Sequence, residues 1–171
     1  FIKSLNTRPL KDSVRENIFN ILSHSNLINI ALKEANILDL YSGVGSFGLE
    51  ALSRGAKKVT FVEKDKVAIE ILSKNLKKLN IESKAILYQS TISQVLQKEK
   101  LEKYNLFFLD PPFADKNYIN EIGLIKKNKI FKKDHVIIIH REKQSDENID
   151  KDLSIFLVKN YGRSKIIFAN F

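Results

Sequence analysis

Short runs of β-branched and aromatic residues alternate along this chain with longer segments whose apolar residues recur every three or four positions. The short runs predict strands and the periodic segments predict amphipathic helices. Residues 10–33 keep the helical period, with Val14, Ile18, Ile21 and Leu22 on one face and Asp12 or Ser13 as the N-cap, predicting one helix or two. Residues 36–41 predict a buried strand, 47–54 a short helix closed by Gly55, and 59–63 a second strand. Residues 66–79 predict a helix with Ile69, Leu72, Leu76 and Leu79 inward and lysines outward.

The alternation continues with a strand at 85–88, a helix at 92–101, a strand at 106–110, a helix at 118–125 and a wholly apolar strand at 136–139. Two further strands, 153–158 and 165–171, flank a turn at Tyr161-Gly162. Strands separated by helices imply a mainly parallel sheet covered on both faces. The last two strands have no helix between them, so one must run antiparallel. Residues 144–152 are polar and acid-rich and predict a surface loop. The expected organisation is a helical extension over 1–35 packed on an α/β domain over 36–171.

Composition narrows the chemistry. The 171 residues suffice for one domain with a substantial core and are too few for two catalytic lobes. With no cysteine, a disulfide framework, a thiolate zinc site and a cysteine nucleophile are all excluded. No apolar run approaches a membrane span or opens the chain as a signal peptide, so a cytoplasmic location is expected. The net charge of +9 comes mostly from lysine and fits either a solvated surface or a phosphate-binding one. The lysines at 126, 127, 129, 132 and 133 leave the same two readings open. Methionine is absent even at position 1, so Phe1 is not expected to be the natural start.

The first strand runs into Asp39-Leu40-Tyr41-Ser42-Gly43-Val44-Gly45-Ser46-Phe47-Gly48. Glycines there let backbone approach a ligand at a helix start, and Gly48 lets that helix pack on the strand. Glu63 ends the second strand 20 positions past Gly43, where a carboxylate would accept from both ribose hydroxyls. The combination points to an adenosine-containing cofactor. A dinucleotide would bring a pyrophosphate to the helix N-terminus. An S-adenosyl cofactor would bring an ammonium, for which Asp39 is an acceptor; Asp39 could instead simply order the loop.

Asp110-Pro111-Pro112-Phe113 follows the apolar strand at the carboxyl edge of the sheet, where open α/β folds bind ligands. The prolines remove two backbone donors, leaving the Asp110 carboxylate and the Pro111 carbonyl as an acceptor-only corner beside the Phe113 ring. Such a corner suits an exocyclic amino group of a nucleobase. Two acceptors hold its hydrogens, aim its lone pair at an electrophilic methyl and meet the charge that develops on nitrogen. Phe113 would stack on the base. His24, His135 and His140 have no partners at metal-ligand spacing, and no metal site is expected. His140-Arg141 at the end of the fifth strand could face the cleft, but reads first as an exposed strand end.

Three segments resemble the RsmD family of bacterial methyltransferases. Thr7-Arg8-Pro9-Leu10-Lys11-Asp12-Ser13-Val14-Arg15-Glu16-Asn17-Ile18-Phe19-Asn20-Ile21-Leu22 is similar to its "RPT-x-D-x-VRE-x-LFNIL" segment. Leu49-Glu50-Ala51-Leu52-Ser53-Arg54-Gly55-Ala56 is similar to its "LGLEALSRGA", and Asp110 to Phe113 matches its "DPPF". The resemblance implies a Rossmann-like methyltransferase fold, here a seven-stranded, mostly parallel sheet with helices on both faces and an antiparallel C-terminal strand. It implies transfer of a methyl group from S-adenosyl-L-methionine, leaving S-adenosyl-L-homocysteine, to the N2 amino group of a guanine. The implied substrate is 16S rRNA in the small ribosomal subunit or its assembly intermediate, acted on by a monomer without metal or membrane.

Carried over position by position, Asp39, Gly43 and Gly45 would line the methionine end of the cofactor and Glu63 its ribose, with Tyr41 and Lys64 beside them as further cofactor-binding residues. Ser90 and Thr91 stand where such enzymes often carry the Asp or Asn that binds adenine. Asp110, Pro111, Pro112 and Phe113 would hold the target amine, with Arg8 and Arg15 near RNA at the mouth of the site. Arg15 as an ordinary surface charge on its helix is the competing reading. The family's short basic β segment before the Arg-Pro motif is not found in residues 1–6. Methylation of another base amine, such as adenine N6, and a non-catalytic ribosome-assembly factor on the same fold are the alternatives. A nicotinamide-dependent reductase would leave Asp110 to Phe113 without a role.

Overall fold

The computed structural model of the protein describes residues 10–98, 100–145, 149 and 151–171. Among these residues seven strands form one sheet: β1 (Asn36–Leu40), β2 (Lys58–Glu63), β3 (Ala85–Gln89), β4 (Tyr104–Leu109), β5 (Phe131–Glu142), β6 (Ser154–Tyr161) and β7 (Ser164–Asn170). Their spatial order is β3-β2-β1-β4-β5-β7-β6. β1 to β5 run parallel to one another, and β7 runs antiparallel to both β5 and β6. This is the sheet expected from the sequence.

Side-chain alternation along the strands builds a core on each face. Ile37, Val59, Phe61, Leu106, Phe108 and Ile138 pack beneath α1 (Asp12–His24), α2 (Ser46–Ser53) and α3 (Lys66–Lys78). Leu38, Leu40, Val62, Phe107, Leu109 and Ile137 pack beneath α4 (Ile92–Leu96) and α5 (Tyr118–Asn128). α1 therefore shares one hydrophobic cluster with the sheet, burying Val14, Ile18, Phe19 and Leu22.

Several element boundaries differ from expectation. α1 stops at His24, and residues 25–31 are not helical; a short 3₁₀ turn follows at Leu32–Glu34. The Ser25 hydroxyl accepts from the Leu27 N–H in a local turn that competes with the helix, and Ile28, Ile30 and Leu32 pack on the core without α-helical backbone. The residue before the helix is Lys11, without a side-chain cap; Asp12 and Ser13 lie inside the first turn. α4 spans only Ile92–Leu96, and its terminal Leu96 carbonyl accepts from Asn128 Nδ2 of α5.

β5 is far longer than its apolar run. Its C-terminal residues His140, Arg141 and Glu142 pair with Ile166, Lys165 and Ser164 of β7. The acid-rich loop expected at 144–152 lies partly outside the described residues.

The strand order reverses between β1 and β4. From β1 the chain winds outward through β2 and β3, and from β4 it winds the other way. Such a switch point opens a crevice at the carboxyl ends of two adjacent strands. The glycine loop leaves β1 and Asp110 leaves β4 at this crevice, with the Asp110 N–H donating to the Leu40 carbonyl at 3.4 Å.

Candidate active site

The loop after β1 is held in place mainly by two carboxylates. Asp39 is buried within β1, and its Oδ2 accepts from the Gly48 N–H at 3.0 Å, fixing the start of α2. Burial raises the Asp39 carboxyl well above the usual carboxylate range; the Gly48 N–H opposes this, while the charges of Asp110 and Glu63 add to it. Glu63, at the end of β2, accepts from the Gly43 N–H at 2.9 Å through Oε2 and from the Asp65 N–H at 2.8 Å through Oε1. A carboxylate has about four lone-pair sites, so two stay open for hydroxyl donors.

The glycines serve different ends. Gly43 has φ +54°, and a Cβ there would meet nothing within 4 Å. It faces open space, as a residue beneath a ligand should. Gly45, the residue before α2, has φ +82°, and a Cβ there would strike the Leu72 side chain. Its absence of a side chain serves the turn and the packing of α3.

A cavity of about 160 Å³ opens beside Glu63. Tyr41, Lys64, Ser90 and Thr91 line it, with Val62 and Ile92 as apolar walls. Tyr41 sits at φ +60° and donates its hydroxyl to Glu121 Oε2 at 2.7 Å. Ser90 and Thr91 hydroxyls both donate to Gln94 Oε1 at 2.9 Å, in a capping box that starts α4. Apolar walls for an adenine and a carboxylate for a ribose make this cavity fit the nucleoside part of S-adenosylmethionine.

Glu121 also lines the cavity and was not singled out from sequence. It is buried on α5 beside Tyr118, Ile122 and Ile125, and burial raises its carboxyl despite the hydrogen bond from Tyr41. An acid on the apolar face of a helix was the available signal.

At the far side of the crevice, Asp110 Oδ1 lies 2.8 Å from His140 Nδ1. An ionised carboxylate only accepts, so His140 Nδ1 donates to it. Phe113 stands edge-on to the His140 ring, centroids 5.7 Å apart. Beneath the corner, Arg141 donates to the Pro112 carbonyl at 3.1 Å and to the Phe113 carbonyl at 2.8 Å. Its guanidinium also stacks over the Tyr118 ring at 4.7 Å.

These contacts correct two expectations. His140 and Arg141 are not an exposed strand end: His140 is 7% exposed and Arg141 is fully buried. The proline corner is not bare of donors either, because Arg141 supplies them from the protein side. Among the described residues no side chain donates to Asp110 Oδ2, and the Pro111 carbonyl keeps a second lone pair.

Arg15 is half-buried on α1 and pairs with Asp12 at 2.9 Å. Arg8 lies outside the described residues. Among the described residues no group of His, Asp or Glu is arranged to hold a metal ion, and no helix is long and apolar enough to cross a membrane.

The chain is similar to known proteins in sequence and fold. Residues 1–170 match the family described as Conserved hypothetical protein 95. The chain is 33% identical over 168 residues to the "Ribosomal RNA small subunit methyltransferase D" of Buchnera aphidicola (subsp. Baizongia pistaciae), covering 98% of this chain and 82% of that one. The protein of the same name from Haemophilus influenzae is 35% identical, covering 83% of this chain and 72% of its own. Among solved structures, a candidate methyltransferase from Escherichia coli superposes with a TM-score of 0.81 at 29% identity, over 95% of this chain and 86% of that one. A candidate methylase from Haemophilus influenzae gives 0.77 at 30% identity, over 92% and 96%. The sheet is thus that of the Rossmann-like methylases, and the chain belongs to the RsmD family, that of Conserved hypothetical protein 95.

Proposed function

We propose that this protein transfers a methyl group from S-adenosyl-L-methionine to the exocyclic N2 amino group of a guanine in 16S rRNA of the small ribosomal subunit. The observation that carries the reading is the Asp110 corner, set across the switch-point crevice from Gly43 and Glu63 with one carboxylate oxygen engaged by His140 and the other open. The relatives named as small-subunit rRNA methyltransferases support rRNA as the substrate class.

When bound, S-adenosylmethionine supplies an electrophilic methyl on a sulfonium. Glu63 would hold its ribose, the Val62 and Ile92 walls its adenine, and the Asp39 side its ammonium. Asp110 Oδ2 and the Pro111 carbonyl accept the two amine hydrogens and draw nitrogen density out of the ring, so the lone pair faces the methyl. Phe113 holds the base plane. Positive charge that grows on nitrogen is met by Asp110 in a site partly screened from water. Asp110 then takes the proton that the amine loses. His140 keeps the Asp110 carboxylate oriented throughout, and Arg141 fixes the carbonyls of the corner.

The test is to incubate the protein with labelled S-adenosylmethionine and small subunits from a strain lacking the enzyme. The labelled nucleoside, identified by mass, is expected to be N2-methylguanosine. Label on adenosine, or on none, ends the reading.

A further inference from the structure

Two residues at the nucleoside cavity go against local preference, and they are bonded to one another. Tyr41 is the residue just past β1, and its φ of +60° is a conformation that a bulky side chain rarely adopts. Glycine would sit there without strain. Glu121 is 3% exposed and shares the buried face of α5 with Tyr118, Ile122 and Ile125. An apolar side chain would suit that face better, because a buried carboxylate is destabilising unless its oxygens are bonded. Departures of this kind persist where a functional site requires them.

The bonds identify what is being held. The Tyr41 hydroxyl donates to Glu121 Oε2 at 2.7 Å, and Asn117 Nδ2 donates to Glu121 Oε1 at 3.2 Å. Asp115 Oδ2 stands farther from the same hydroxyl, at 3.5 Å. Both oxygens of Glu121 are thus engaged, one of them by the tip of the tyrosine. Tyr41 is half-buried and lines the same cavity as Val62, Glu63 and Ile92. A bond at the far end of a tyrosine fixes the rotation of its whole ring, which the backbone alone does not.

We propose that Glu121 is a positioning residue for the methyl donor: through the Tyr41 hydroxyl it holds the Tyr41 ring as a wall of the nucleoside cavity. The nucleoside does not change during methyl transfer, so the ring contributes equally to ground state and transition state. It supports binding of the donor and not the chemical step. The inference rests on the S-adenosylmethionine-dependent reading above.

Calorimetric titration with S-adenosylhomocysteine, melting curves and methyl-transfer kinetics test it together. Glu121→Leu is expected to weaken S-adenosylhomocysteine about tenfold, the scale of one lost hydrogen bond. The KM for S-adenosylmethionine should rise by the same factor, while kcat and the KM for subunits stay within about twofold of the parent. Tyr41→Phe keeps the ring but not its tether, and should show the same loss. The double variant Tyr41→Phe, Glu121→Leu should bind no more weakly than either single variant, because both remove one interaction. Glu121→Gln keeps an acceptor for the hydroxyl and should bind as the parent does.

Melting temperature separates this role from a purely structural one. Tyr41→Phe leaves the buried carboxylate short of a donor and should melt below the parent. Adding Glu121→Leu should recover the melting temperature without recovering the affinity. Parent-like affinity in Glu121→Leu and Tyr41→Phe overturns the inference. So does an additive loss in the double variant, or a loss in Glu121→Gln equal to that in Glu121→Leu. Failure of the underlying reading looks different: the parent itself then binds no S-adenosylhomocysteine.

Discussion

Asp110 acts through the oxygen that His140 leaves open. Removing the carboxylate takes away both an acceptor for the amine and the charge that meets the developing cation. Asp110→Ala is expected to lower methyl transfer by at least ~10²-fold, the scale of a lost transition-state hydrogen-bond partner. S-adenosylhomocysteine affinity, read by calorimetry, should stay unchanged; equal methyl incorporation would remove the carboxylate from the chemistry. Asp110, Asp39 and Glu63 were legible in the sequence because an acid at a strand end has few other uses and the flanking Gly and Pro residues mark the turn. His140 was legible only as the less favoured of two readings. The apolar run stops at Ile139, and only the pairing of His140 with Ile166 on β7 carries the strand onward and turns the imidazole toward Asp110. Glu121 escaped for a related reason, since its partner Tyr41 lies 80 positions away in sequence.

Strands and the helices directly beneath the sheet were the most legible elements. β1, β2, β3 and α3 end within a residue of the apolar pattern that predicts them, because burial on the sheet sets both. α1 and α4 were read too long, since Ile28 and Ile30 past the first and Leu101 past the second still pack on the core although the backbone there is no longer helical. The turn from Asp110 to Phe113 is a third case: its stiffness was legible in the prolines, but its anchor, Arg141, comes from another strand. Arg141 is fully buried and donates to the Pro112 and Phe113 carbonyls. Arg141→Met therefore strips donors from two carbonyls, and the expected loss is about 3 kcal/mol or more in urea unfolding. Arg141→Lys keeps the charge but offers no planar fork, so it should recover part of that stability while methyl transfer stays low. Unfolding midpoints within error of the parent for Arg141→Met would show that the turn holds itself.

The whole molecule carries a net charge of +9, yet the carboxyl edge of its sheet gathers Asp39, Glu63 and Asp110 from three adjacent strands or the residues just past them. A basic surface with an acidic crevice separates the two ligands that the reading requires, a polyanion outside and a cationic sulfonium within. The arrangement works against folding stability. Burial raises the Asp39 carboxyl, and the charges of Asp110 and Glu63 raise it further, so the folded chain holds that proton more tightly than the unfolded one. The stabilisation from this group is complete below the ordinary carboxylate range and is lost as pH rises through the raised value. Asp39→Asn keeps an oxygen for the Gly48 N–H and removes the charge. Its melting temperature should exceed that of the parent near about pH 8 and converge with it towards about pH 4. S-adenosylmethionine should restore the order in the opposite sense. The cationic ligand raises the melting temperature of the parent by mass action, and the neutral variant, having lost an acceptor for the ammonium, should gain less. A variant that melts below the parent near pH 8 would mean that the buried carboxylate is compensated by a contact other than the one to Gly48.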